Sequence, residues 1–347
     1  MPSKQLRDLA VRPASTDVAR LAGVSQKTVS RVMNNEPYVR DEVRERVLQA
    51  ARQLGYRPNG AARSLTSGRS NRLGVISLGT RLYGPMTMVV AIERSARRLG
   101  YSVSIAHTSE DDEHSIADAI DGLIEQGVDG IVLSEAVDEG PIGVGVDVPV
   151  LTIGRFPGLV AGRRIRSAEK ADRGGYIATR HLIELGHQEI RHVSGPEEWW
   201  ASRDRAEGWR TALTEAGLPL SDPVAGDWSC ESGYQAGVRL AADKDMTAVF
   251  VANDDMAIGV LRAFGDLGVR VPDDVSVVGT DDVPAARYLR PALTTVALDF
   301  DVVATEGIGL LVAEITDPGS AETTLHEVDP PLVVRESTAA RPHRRRR

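Results

Sequence analysis

The 347-residue chain contains one cysteine, Cys230. A single thiol excludes an intramolecular disulfide framework and fits a reducing, cytoplasmic setting, with Cys230 expected as a small packed residue. No apolar run approaches the roughly 18 residues a membrane helix needs, and the stretch from Met1 to Ser30 is polar and basic rather than signal-like. Phe, Trp and Tyr make up only 4% of the residues, so any cluster of them is informative. The histidines His107, His114, His181, His187, His192, His326 and His343 show no metal-ligating spacing. No Gly-x-Ser-x-Gly nucleophile turn and no Walker loop occurs. Repeats, low-complexity tracts and heptad runs are not evident. The expectation is a protein with no metal, no cofactor and no catalytic residues.

What the chain does contain is a helix-turn-helix pattern from Asp17 to Asn34. Val18, Leu21 and Ala22 place an apolar stripe on one helix, and Val29, Val32 and Met33 place a second on the next. Gly23 supplies the turn, and Ser25 is placed to cap the second helix by accepting from a free backbone N–H. Gln26, Lys27 and Arg31 then point outward. In such a motif the second helix enters the major groove, where an arginine pairs bidentately with guanine, so Arg31 is the expected base reader. Thr28 and Ser30 carry short hydroxyls suited to phosphate oxygens, and Asn34 closes the candidate surface. A third helix is predicted from Val43, Val47, Ala50, Ala51 and Leu54, ending at Gly55.

Charge distribution agrees. Residues 1–72 carry 14 Lys+Arg against 6 Asp+Glu, a net of +8, whereas the whole chain is −8, so the remainder holds −16. A basic module on an acidic body attracts phosphate at one end only. The run Arg341-Pro342-His343-Arg344-Arg345-Arg346-Arg347 has no periodicity, and residues 339–347 read as a disordered basic tail.

Between Tyr56 and Ser70, Pro58 and Asn59 open a very short helical stretch that Gly68 closes. Isolated helices of this length are unstable in water, and Gly60 costs a further ~1 kcal/mol. Either the segment orders only on DNA beside a partner copy, or it is a flexible linker. Under the first reading, small Ala62 permits close helix approach and Leu65 wedges between base steps in the minor groove.

The remainder reads as α/β. Strand-like runs at 73–78, 102–106, 130–133, 150–153, 190–194, 248–251 and 275–279 alternate with helical stretches at 86–99, 115–126, 174–185, 202–216, 232–241 and 256–267. Such alternation implies parallel sheets. The length exceeds what one core sustains, which predicts two subdomains with ligands at the carboxyl ends of the strands. Asn253 and Asp254 end one strand and open a helix, and Asp281 ends another. Carboxylates there suit vicinal sugar hydroxyls, although helix capping also accounts for Asn253 and Asp254. Arg205 has the fork to meet hydroxyl or carboxylate oxygens, or to pair with Glu207 or Glu198 on a helix surface. Trp199, Trp200 and Trp228 suggest a stacking platform, whereas Trp209 sits at core spacing with Leu213.

The phrase Asp-Val-Ala-x-x-Ala-Gly-Val-Ser-x-x-Thr-Val-Ser-Arg-Val, followed by Arg57-Pro58-Asn59 and Ala62-Arg63-Ser64-Leu65, resembles the LacI/GalR family of transcriptional regulators. The resemblance runs from Pro13 to about Thr338. It implies a helix-turn-helix headpiece at 13–57, a hinge at 58–70, and a periplasmic-binding-protein-like (type I) effector core at 71–338. Within that core it implies one subdomain of 73–165 plus 296–325 and another of 166–295 plus 326–338. It further implies a homodimer on palindromic operator DNA, with Asn59, Ala62 and Leu65 at the operator centre, and no membrane association. No leucine-rich tetramerising helix follows Pro342. Around the cleft it implies Tyr83, Trp199, Arg205, Trp228, Asn253, Asp254, Asp281 and Phe300 as effector contacts.

Three departures bear on these expectations. Ala14-Ser15 replaces the usual threonine and apolar pair, which moves the expected first cap to Ser15. Arg155 follows Ile153-Gly154 where lactose-type relatives carry an aspartate, and Leu298 stands where they carry a glutamine. A sugar or glycoside is still expected, but not lactose itself, with Arg155 and Glu169 reshaping that wall; a purine or an acidic metabolite stays open as the alternative effector. The expected function is a ligand-responsive repressor released from its operator by effector. The alternatives are a sugar-binding transport protein and a sugar-active enzyme on the same fold.

Overall fold

The computed structural model describes residues 13–33, 36–57, 68–108, 116–134, 142–143, 147–154, 159–160, 164–169, 171–320 and 325–341. The chain separates into two compact units, Met1–Ser70 and Asn71–Arg347.

The first unit holds three helices, α1 (Ser15–Ala22), α2 (Gln26–Met33) and α3 (Asp41–Leu54). Ala14, not Ser15, is the cap residue of α1. Its amide donates to Asp17 Oδ2 at 2.9 Å, because Asp17 lies at the third helical position, where a carboxylate reaches back to the cap. Gly23, with φ +65°, ends the helix. Ser25 Oγ then accepts from the Thr28 amide at 3.1 Å and starts α2 as expected. Val18, Ala19, Ala22, Val29, Val32, Val47, Ala50 and Ala51 form the core. Val18, Val29 and Val47 are fully buried, each side chain contributing about 1.5–3 kcal/mol. Leu21 is exposed, contrary to expectation. The inward stripe runs through Val18, Ala22 and Ala19, and at about 100° per residue Leu21 falls about 60° outside it, beyond Val18.

The second unit is a two-lobed α/β body. Its elements in chain order begin with β1 (Arg72–Leu78), α4 (Tyr83–Arg98), β2 (Ser102–Thr108), α5 (Ile116–Glu125) and β3 (Gly130–Ser134). Next come β4 (Ile142–Gly143), β5 (Val150–Ile153), β6 (Leu159–Val160), β7 (Arg164–Glu169), α6 (Ala171–Glu184) and β8 (Ile190–Ser194). They continue with α7 (Trp200–Glu215), β9 (Val224–Ala225), α8 (Cys230–Leu240), β10 (Ala248–Val251), α9 (Asp254–Asp266) and β11 (Ser276–Asp281). The last are β12 (Thr294–Ala297), α10 (Phe300–Thr316), β13 (Leu325–Val328) and β14 (Leu332–Val333).

One sheet has the order β13-β7-β5-β3-β1-β2 and the other β14-β12-β11-β10-β8-β9. All pairings within them are parallel except that of β14 with β12. In the first lobe, α4 and α10 cover one sheet face through Ile92, Ala96, Ile308 and Leu311, and α5 covers the other through Ile116, Ile120 and Leu123. In the second lobe, Leu182 and Trp209 of α6 and α7 lie opposite Met256 and Phe264 of α9 across the sheet.

The ladders move the lobe crossings. Arg166 pairs with Thr152 and Leu325 with Arg166, so β7 and β13 lie entirely in the first lobe. That lobe therefore extends to Glu169 and Val328 rather than to residues 165 and 325. Val296 and Ala297 pair with Thr280 and Asp281 and belong to the second lobe. Helix α10 and strand β7 are elements that the spacing of apolar residues did not predict. Residues 339–341 are docked rather than disordered. The Ala339 carbonyl meets His187 Nε2 at 3.0 Å, and the Arg341 amide donates to the Leu185 carbonyl at 2.8 Å. Cys230 is exposed in the first turn of α8 rather than packed, because the buried face of that helix runs through Gly233, Ala236, Gly237 and Leu240.

Candidate functional site

On α2 of the headpiece, Gln26, Lys27, Ser30 and Arg31 are exposed and Thr28 is half-buried. Gln26 Nε2 donates to Ser15 Oγ at 2.8 Å, which ties the start of α2 to the start of α1. Thr28 Oγ1 lies 2.9 Å from the cap hydroxyl of Ser25. Arg31 Nε forms an ion pair with Glu36 Oε2 at 3.4 Å. The helix thus presents amide, ammonium and guanidinium donors on one face, with free backbone N–H groups near its amino end, which suits an anionic duplex. Asn34, Asn59, Ala62 and Leu65 lie outside the described residues.

The body holds a cleft of about 200 Å³ at the carboxyl ends of the parallel strands of both lobes. Leu82, Tyr83, Gly84, Pro85 and Met88 enter it from the β1–α4 junction. Ser134 and Ile153 come from the ends of β3 and β5, and Leu298, Phe300 and Val303 from the start of α10 and the residues before it. The second lobe contributes Trp199, Trp200, Asp204 and Arg205 at the start of α7, with Trp228, Asn253 and Asp281 from three strand-to-helix junctions.

Arg205 and Asp281 are the charged centre. Both are buried, and Arg205 Nη2 lies 3.5 Å from Asp281 Oδ1. Arg205 Nη1 donates to the Ala252 carbonyl, and the guanidinium carbon sits 5.7 Å from the Trp228 ring centroid. A carbonyl, a carboxylate and an aromatic face therefore fix the fork, and neither Glu207 nor Glu198 pairs with it. Burial pushes the Asp281 carboxyl up to about 7, against the pull of Arg205. Asp281 also has φ +116°, a backbone conformation that side-chain-bearing residues rarely adopt and that marks functional sites.

The aromatic residues divide into two pairs. Trp199 and Trp228 meet edge to face, with centroids 5.4 Å apart, and Tyr83 and Phe300 do so at 6.2 Å. Trp228 lies against Gly195, where an added Cβ would fall 2.2 Å from the ring. Only glycine permits that approach. Among the described residues, the buried indole N–H groups of Trp199 and Trp228 have no hydrogen-bond acceptor. Burial raises the Tyr83 phenol above its ordinary value, with further upward pushes from Asp281, Asp282 and Asp254 against a hydrogen bond with Thr87. Trp209 is fully buried away from the cleft, stacked on His192 with centroids 5.4 Å apart.

The structure thus brings together Tyr83, Trp199, Arg205, Trp228, Asn253, Asp281 and Phe300, but not Asp254. That carboxylate is fully buried behind the cleft, accepting from Thr295 Oγ1 at 2.7 Å and from the Val283 amide at 2.9 Å. It occupies the space left by Gly279, where a Cβ would lie 2.1 Å from Asp254 Oδ1. Burial, then Asp281, raises its carboxyl well above the ordinary range. Asp254 fastens α9 to β11 and β12 and does not line the cleft, contrary to expectation. Asn253 lines the cleft, yet its Oδ1 accepts from the Met256 amide and its Nδ2 donates to the Trp228 carbonyl, both at 3.0 Å. Its polar atoms cap α9 and hold Trp228. Leu298 extends the apolar wall, and Arg155 lies outside the described residues. Met88, Ser134, Asp204 and Val303 were missed by sequence reasoning. Met88 was findable as one helical turn beyond Pro85. The other three carried no separate signal.

Among the described residues, no group of three or more His, Cys, Asp or Glu side chains is arranged to hold a metal ion. No described helix is long and apolar enough to cross a membrane.

Residues 16–59 match the family of bacterial regulatory proteins named lacI, and residues 179–338 match the periplasmic binding protein-like domain. Over 330 residues the chain is 33% identical to the HTH-type transcriptional repressor PurR of Photobacterium profundum, covering 92% of this chain and 97% of that protein. Its counterpart in Erwinia tasmaniensis is 34% identical over 337 residues, covering 94% and 97%. Among solved structures, the lac repressor dimer bound to operator and the anti-inducer ONPF superposes with a TM-score of 0.80 at 30% identity, over 95% of this chain and all (100%) of that one. The transcriptional regulator CelR in complex with cellobiose superposes with a TM-score of 0.67 at 30% identity, over 94% and 100%.

Proposed function

The chain belongs to the lacI family of bacterial regulatory proteins and is a ligand-responsive, sequence-specific DNA-binding transcriptional regulator; from that premise we propose that it acts as a cytoplasmic homodimer, repressing from a palindromic operator until a sugar or glycoside enters its cleft. The lac repressor in the matched complex is a dimer on operator, and CelR is complexed with a disaccharide. Both assignments are carried to this chain as part of the proposal.

In this reading Arg31 reads guanine, Gln26, Lys27 and Asn34 complete the base-facing surface, and Thr28 and Ser30 hold phosphates. Asn59, Ala62 and Leu65 belong to the hinge between a headpiece at 13–57 and the effector core. Effector contacts alter the relation of the two lobes, and operator affinity and effector affinity are then linked reciprocally.

One observation carries the effector assignment: the charged side chains of the cleft lie on one side, and the other side is mainly apolar. The second lobe contributes Arg205 and Asp281 beside the Trp199 and Trp228 rings, which suits sugar hydroxyls and a pyranose face. The opposite wall, from Leu82, Pro85, Met88, Ile153 and Val303, is mainly apolar, with side-chain hydroxyls from Tyr83 and Ser134. The effector that matches both walls is a glycoside with an apolar aglycone. The relatives are transcriptional repressors, and we read the cleft as a binding site rather than a catalytic one: Asp281 is engaged with Arg205 and Asp254 is sealed behind the wall.

A thermal-unfolding screen with free sugars, their alkyl and aryl glycosides, purine bases and sugar phosphates tests this. A glycoside at 100 times its Kd should stabilise the protein by about 2.7 kcal/mol, more than its parent sugar at equal concentration. Stabilisation by purines or phosphates alone would contradict the sugar assignment.

A further inference from the structure

Glu36 lies just beyond α2, and its surroundings fix it on three sides. Its amide donates to the Arg31 carbonyl at 3.0 Å, and its carbonyl accepts from Arg44 Nη2 of α3 at 2.7 Å. Pro37 follows it and restricts its backbone to extended conformations. The carboxylate from this anchored backbone turns back to Arg31, placing Oε2 3.4 Å from Nε, with both side chains about half exposed at 49% and 47%. The closest approach of the pair is at Nε, on the inner edge of the guanidinium, rather than at the terminal Nη1 and Nη2. Those two nitrogens are the donors that an arginine directs end-on at guanine O6 and N7.

We propose that Glu36 is a positioning residue for DNA readout: it braces the Arg31 guanidinium from behind so that its outer edge faces a guanine, and its negative charge at the same time weakens sequence-independent attraction to phosphate. The proposal rests on the assignment of Arg31 as base reader. A flexible arginine close to a duplex is drawn to phosphates as readily as to bases, and phosphate contacts carry no sequence information. A carboxylate on Nε restricts that choice. It also subtracts one charge from the surface whose attraction for the duplex is sequence-independent. Both effects raise the ratio of specific to non-specific binding.

The test compares full-length wild type with Glu36→Ala, Glu36→Gln and Arg31→Ala on the selected operator, on operators with the guanine replaced in each half-site, and on unrelated duplex. Exposed ion pairs contribute about 0.2–1 kcal/mol, so Glu36→Ala should lower guanine discrimination by up to about fivefold per half-site. Its binding to unrelated duplex should become tighter, with an unchanged melting temperature. Glu36→Gln should also bind unrelated duplex more tightly, because the charge is gone, but should retain more discrimination, because its amide oxygen still meets Nε. Arg31→Ala should lose discrimination outright. If Arg31→Ala loses discrimination and Glu36→Ala keeps it, the bracing role is overturned while the base-reading assignment stands. If Arg31→Ala keeps discrimination, the underlying assignment is overturned. A Glu36→Ala protein that melts lower and binds both duplexes more weakly would reduce Glu36 to a structural residue and contradict the proposal.

Discussion

Replacing Asp281 with asparagine should remove a specific pH dependence from the stability of the effector-free protein. Burial pushes this carboxyl from an ordinary 3.8 up to about 7, despite Arg205 nearby. Below pH 3.8 the group is protonated in folded and unfolded chains alike, and its contribution is fully favourable. Between 3.8 and 7 the unfolded chain releases a proton that the folded chain retains, so stability falls as pH rises. Above 7 the loss levels off at about 4 kcal/mol. The amide introduced by Asp281→Asn would carry no such proton. Removing the carboxylate also deprives Arg205 of its partner, a separate penalty that adds to the pH-dependent part.

The informative quantity is therefore how the stability difference between variant and wild type changes with pH. Urea unfolding of both proteins from pH 4 to 8, followed by tryptophan fluorescence, should show the variant gaining about 4 kcal/mol relative to wild type across the range. A difference that stays flat would refute the assignment of a neutralised, buried Asp281. The same chemistry extends to effector binding. Hydroxyl donors favour the ionised carboxylate, so at pH 7 binding should release about half a proton per cleft, and the asparagine variant should release none.

Arg31→Ala should relax guanine preference at one position in each half-site and weaken specific binding by about 1–3 kcal/mol per contact; a randomised-site binding assay that returns unchanged selectivity would oppose it. Gly195→Ala places a methyl carbon 2.2 Å from the Trp228 ring, which should displace the ring, destabilise the body by about 1–3 kcal/mol and abolish effector response while operator binding persists; normal effector titration would argue that Trp228 is not a contact. Leu65→Ala should weaken operator binding far more than binding to unrelated duplex, measured by titration of both, whereas equal losses would mark the hinge as a passive linker.

The headpiece was the most legible part of the chain because its signals are local. Gly23, the Ser25 cap and the two apolar stripes act at fixed short offsets, and only Leu21 and the first cap were misplaced. The strand-to-helix junctions of the body were readable for the same reason. What the sequence concealed was direction. Asp254 and Asp281 both sit at strand ends, yet one points back between β11 and β12 and the other into the cleft. The difference depends on the missing side chain of Gly279, twenty-five residues from Asp254. Helix α10 was hidden because Phe300–Thr316 is apolar around much of its circumference, so no stripe distinguishes it from a buried strand. Strand β7 was hidden by the alternating Arg164, Arg166 and Ser167, which read as a polar loop although Ile165 and Ser167 are buried. Asn253 shows a further limit: a capping residue and a ligand contact have the same sequence signature, and only its bonds to Met256 and Trp228 show that its polar atoms are committed.

The most direct test of the central claim is selection of DNA fragments from a random pool by the full-length protein, repeated with the glycoside that gives the largest thermal shift. The account predicts one inverted-repeat consensus, with guanine at matching positions of the two half-sites, and release of those fragments when the glycoside is added. Recovery of fragments with no shared inverted repeat, or of a repeat whose binding is indifferent to every stabilising ligand, would contradict it.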